Sequence, residues 1–77
     1  MSKFNGHKNW NHWNVSLWIG NDEGLYRTAR YCLRMSSNRD EAARNMFREL
    51  TNKQGTTHTP DGAPYSVTTI RAAMVGL

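Results

Sequence analysis

Four arginines, Arg27, Arg30, Arg34 and Arg39, stand in a stretch with no acid between Glu23 and Asp40. A guanidinium is a planar fork of donors that grips carboxylates and phosphates alike. Arg27, Arg30 and Arg34 recur at i, i+3 and i+7, so on a helix they form one stripe opposite Leu25, Ala29 and Cys32. Tyr31 flanks the stripe as a candidate aromatic anchor, because aromatics and arginines dominate interface energetics. The net charge of +4 can be assigned to this stretch, and Arg44 and Arg48 add a partly neutralised pair. Three readings stay open: a solvated face, a protein-partner surface and direct nucleic-acid contact.

The residues that do metal or covalent chemistry are sparse. His7, His12 and His58 are the three histidines and Cys32 the one thiol. Zinc needs closely spaced ligand pairs, and His7 and His12 are on different helical faces. Cys32 belongs to an apolar helix face, where a thiol acts as a small hydrophobe. Asp22 and Glu23 suit the positive end of a helix better than acid–base work. No glycine loop has the spacing that cradles phosphate. The expectation is no catalytic residue, no metal and no cofactor, hence a non-enzymatic protein.

The elements that must position these residues read as helices. Asn9 caps a segment over residues 10–20 in which Trp10, Trp13, Leu17 and Trp18 share one face, with Gly20 as its stop. That face is expected to turn inward, Trp13 and Trp18 above all, although a base-stacking platform is the alternative. Trp13, Val15, Leu17 and Ile19 also alternate as a strand would, but the helix places more of the tryptophans. A second helix starts at a cap on Asn21 and ends near Ser36. A third starts at Asn38, with Glu41 reaching back to the cap N–H, an Asp40–Arg44 pair at i, i+4, and an end at residues 52–55. Residues 53–65 hold both prolines and read as a loop, with Pro60-Asp61-Gly62 as turn chemistry. The Thr56–Gly62 part is a contact loop or, slightly preferred, a flexible connector. Ser66 then caps a terminal helix bearing Val67, Ile70, Ala73, Met74 and Leu77. The predicted fold is all-α: a small bundle of four short helices in one domain, with residues 1–8 flexible.

The stretch Asn9 to Tyr26 resembles the opening of a family of small phage and plasmid proteins. In that family Asn-Tyr-Glu-Thr-Trp is followed by an apolar Leu-Trp segment, then Asn-Asp-Glu-Gly and a Tyr. Asn9, Trp13, Leu17, Trp18, Asn21, Asp22, Glu23, Gly24 and Tyr26 match, while Trp10, Asn11 and His12 stand in place of Tyr, Glu and Thr. The resemblance covers about a quarter of the chain and implies a mobile-element context, with no reaction attached. Small accessory proteins of that kind bind and block host machines, among them restriction and CRISPR complexes.

With 77 residues and 38% hydrophobic content, the chain has material for one core. One cysteine excludes an intrachain disulfide. No apolar run approaches the ~20 residues of a membrane span, and the start lacks a signal-peptide core, so the expected place is the cytoplasm of a host cell. The net charge of +4 argues against mimicry of DNA by a carboxylate-rich surface. The expected function is that of a phage-type inhibitor or adaptor, such as an anti-CRISPR or other anti-defence protein, occupying a host protein or protein–nucleic acid complex. The alternatives are direct nucleic-acid binding by the basic face and a structural or homo-oligomeric part.

Overall fold

The computed structural model describes residues 7–77, so most of the flexible start expected over residues 1–8 lies outside the described residues. Four helices follow in order: α1 (Trp10–Asn21), α2 (Glu23–Arg34), α3 (Arg39–Arg48) and α4 (Val67–Met74), with α3 prolonged by a π-helical turn, Glu49–Lys53. Among the described residues there is no strand, and the only sheet-like pairing is an isolated bridge between His58 and Pro64. The Cα radius of gyration, 11.5 Å, is that of a chain of this length packed into one body.

Each helix begins where a short polar side chain satisfies an orphan backbone donor. Asn9 Oδ1 accepts from His12 N at 3.0 Å, and Asn38 Oδ1 from Glu41 N at 2.8 Å. Ser66 and Thr69 form a reciprocal capping box at α4. Two boundaries differ from expectation. Gly20 does not stop α1, which runs on to Asn21, and α2 is capped by Asp22, whose Oδ1 accepts from Leu25 N at 2.9 Å. One residue thus closes α1 and opens α2: its N–H donates to Trp18 O while its carboxylate caps the next helix. In α3, Glu41 accepts from Ser37 N at 3.3 Å, one residue before the expected cap N–H. Asp40 pairs with Arg71 of α4 instead of the expected Arg44, and so ties α3 to α4.

The core takes Val15 and Ile19 from α1, Ala29 and Cys32 from α2, Ala42, Ala43 and Met46 from α3, Leu50 from the π turn, and Ile70, Ala73 and Met74 from α4. Burying Ile19 alone contributes about 1.5–3 kcal/mol. The inward face expected for α1 is corrected here. Its buried residues are Asn14, Val15 and Ile19, whereas Trp10 and Leu17 are 39% and 37% exposed and Trp13 and Trp18 only half-buried. The helices on which α1 rests, α2 and α4, bring the small residues Ala29 and Ala73 to the core, so they approach α1 closely and leave it a narrow space. Branched aliphatics fill such a space at close packing where indoles would overfill it.

The segment between the π turn and α4 is ordered by its own bonds, which corrects the flexible-connector reading. Thr59 N donates to Ala63 O at 2.8 Å, Gly62 N to Thr59 O at 2.9 Å, and Tyr65 N to Thr57 O at 2.9 Å. Pro60 opens this turn, and Gly62 takes φ +96°, a conformation only glycine adopts cheaply. Thr59, Ala63 and Tyr65 are buried, so the loop is part of the core wall.

Candidate partner-binding surface

A groove of about 560 Å³ lies between α2 and the α3–π rod. One wall is Arg27, Tyr31 and Met35, the other Asn45, Glu49 and Lys53, and both rows run at i, i+4, i+8, with Thr28 and Cys32 between them. Residues four apart stack along one side of a helix, which is why two helices laid together expose two such rows. Tyr31 and Met35 are 57% and 64% exposed. Together they give the groove an apolar rim with charges at one end.

The predicted arginines differ in their surroundings. Arg27 is paired with Glu23 one turn earlier, and both side chains are largely in water, so the pair contributes little to stability. Arg30 lies over the ring of Tyr26, its guanidinium carbon 5.9 Å from the ring centre. Arg34 is the last residue of α2 and Arg39 the first of α3, and both are exposed. Among the described residues, Arg30, Arg34 and Arg39 make no ion pair. The groove therefore brings together Arg27 and Tyr31 of the five predicted residues, with Arg30 and Arg34 on the adjoining face of α2 and Arg39 beyond its end.

Lys53 and Glu49, absent from the sequence expectation, complete the far wall and pair at 3.5 Å. Their i, i+4 spacing after Asn45 is visible in the sequence, but that this row faces Arg27, Tyr31 and Met35 is a matter of helix packing. At the floor, burial pushes the Cys32 thiol up from its ordinary range, and the Glu49 carboxylate adds to the rise. The thiol stays protonated at neutral pH and is a poor nucleophile there. Among the described residues, no three His, Cys, Asp or Glu side chains gather as a metal would require.

A second constellation joins the loop to α1. Asp61 Oδ2 accepts from Asn14 Nδ2 and from Trp18 Nε1, both at 2.9 Å. Thr59 Oγ1 donates to Asn14 Oδ1 at 2.6 Å and accepts from Ala63 N at 3.0 Å. The bonds from Asn14 and then Trp18 hold the Asp61 carboxyl below its usual range, against a smaller opposing effect of burial. Among the described residues no buried side-chain polar atom lacks a partner, which identifies this network as a clasp within the fold rather than as a vacant site.

No helix among the described residues is long and apolar enough to cross a membrane. No curated protein and no solved structure matches the chain. A family model described as a family of unknown function, DUF7249, matches residues 1–76, and the chain belongs to that family.

Proposed function

We propose that this protein is a non-enzymatic accessory protein of phage or plasmid type that works by occupying a surface of a host protein or protein–nucleic acid complex in the cytoplasm. Inhibition of a defence system, such as a CRISPR complex, is the form of that activity the resemblance favours. The observation that carries the reading is the face of α2. There Arg30 and Arg34 stand without carboxylate partners among the described residues, beside a groove rimmed by exposed Tyr31 and Met35. Cations next to an aromatic anchor and an apolar cleft suit an acidic protein surface with a protruding side chain.

The test is affinity capture from host lysate with the wild-type chain and with R30E/R34E, folded to the same extent by circular dichroism. The reading expects a discrete partner held by the wild type and released by charge reversal. A partner retained by R30E/R34E, or none held by the wild type, overturns it. Direct nucleic-acid binding by Arg30, Arg34 and Arg39 is the second reading, favoured by the same absence of carboxylates. It predicts affinity for DNA or RNA that falls steeply as salt rises, because phosphate contacts release counterions.

A further inference from the structure

We propose that the outward face of α1 is a self-association surface, on which two copies of the chain seat antiparallel about a two-fold axis. The inference is independent of the function proposed above.

α1 is twelve residues long and carries no charged side chain, in a chain of which 21% is charged. It carries large apolar residues on two sides, among the polar Asn11, His12, Asn14 and Ser16. Val15 and Ile19 face the core, while Trp10, Trp13 and Leu17, at i, i+3 and i+7, form a second stripe outside the core cluster. Large apolar side chains grouped on the outward side of a helix mark a surface that another body can cover. In the single chain, Trp10 and Leu17 remain 39% and 37% exposed.

Gly20 continues this stripe, three residues after Leu17. A glycine inside a helix weakens it relative to alanine. Nothing within the chain calls for it, since a Cβ there meets no atom within 4 Å and its φ is not positive. A bare backbone at the end of an exposed indole stripe is what close approach by another body requires.

The charges at the two ends of α1 select the occupant. Lys8 precedes the helix, and Asp22 and Glu23 follow it, Asp22 also capping α2 and Glu23 also paired in water with Arg27 of its own chain. An antiparallel second copy sets each Lys8 end beside an Asp22–Glu23 end and opposes the two helix dipoles, which is favourable at both ends at once. Copies of a chain with net charge +4 meet least repulsion on its charge-free helix, and nucleic acid finds no cation between Trp10 and Asn21. A two-fold contact uses the same patch twice, so Trp13 of each copy lies over Gly20 of the other, with the two Leu17 side chains close to the axis.

Light scattering and sedimentation test this on the intact chain, from micromolar to submillimolar concentration. The expected mass is twice 8.8 kDa. Leu17→Lys and Leu17→Glu each yield monomers that keep the helical spectrum, and mixing the two restores a dimer, because unlike charges then meet at the axis. Gly20→Leu, at a position open in the monomer, weakens association by about tenfold or more. A wild type that stays monomeric throughout, or a dimer indifferent to both Leu17→Lys and Gly20→Leu, overturns the proposal; residues 1–6 or another protein would then be the cover for α1.

Discussion

Asn14 on α1 and Asp61 in the loop before α4 are 47 residues apart and joined by a 2.9 Å hydrogen bond from the amide to the carboxylate. Asn14 is buried, and its carbonyl is taken up by Thr59 at 2.6 Å. Removing it leaves the Thr59 hydroxyl without its acceptor and Asp61 with one donor fewer. Asn14→Ala is therefore expected to destabilise the fold by about 2–3 kcal/mol, read as a lower midpoint in urea with unchanged slope.

Asp61 gives this clasp a pH dependence of definite sign. Its carboxyl titrates below the ordinary 3.8 in the fold, because Asn14 and Trp18 donate to the ionised form. The stabilisation is fully present above 3.8 and is lost as pH falls through the lower folded value. Asp61→Asn should lower Tm at neutral pH, and the gap from wild type should be constant above about pH 5 and narrow in stronger acid. A gap that widens with acid would contradict the assignment.

The two sides of α1 should respond unequally to truncation. Ile19→Ala empties a fully buried site and is expected to cost about 2–4 kcal/mol. Trp10→Ala removes a larger side chain from a more open position and should cost under about 1 kcal/mol of monomer stability. Chemical denaturation of dilute protein measures both. A larger loss for Trp10→Ala would return the tryptophan to the core.

Much of this architecture was legible in the residues. The caps Asn9, Asn38 and Ser66 marked three helix starts because short polar side chains compete for orphan donors only there. For α1 a helix was favoured over an alternating strand that stayed open, and its inward side was not legible. Apolar residues on both sides leave the period visible and its phase undetermined, and Val15 and Ile19 took the core that the indoles were expected to fill. The partners of Asp61 and Asp40 lie on other elements, so no local spacing discloses them; Asp40 chose Arg71 over Arg44 across a helix contact. Of the candidate surface, the arginine stripe could be read from its i, i+3, i+7 spacing, whereas the opposing Asn45–Glu49–Lys53 row becomes a wall only once α3 lies beside α2.

Tyr31 is the single position that most directly tests the proposed partner recognition. Tyr31→Ala should leave stability within about 0.5 kcal/mol of wild type, since the side chain is mostly in water. It should weaken partner binding by at least about tenfold if the groove receives a side chain. Titration calorimetry with the captured partner measures this. Arg44→Ala, on an exposed part of α3, serves as the control.

Cys32 offers a probe of the groove floor. Buried and held protonated, the thiol is expected to react with a maleimide far more slowly than in the unfolded chain. Its labelling rate should fall further when a partner fills the cleft. Rapid labelling of the native protein would mean that the floor is open.

The first helix rests on the last, and its one buried amide waits for Thr59 and Asp61. While the ribosome still holds the final third of the chain, α1 has α2 beside it but lacks both its larger packing partner, α4, and an acceptor for that amide. Maturation of this fold is therefore an event that follows synthesis of α4, and ribosome-stalled chains ending before residue 58 should be digested by protease as readily as unstructured ones.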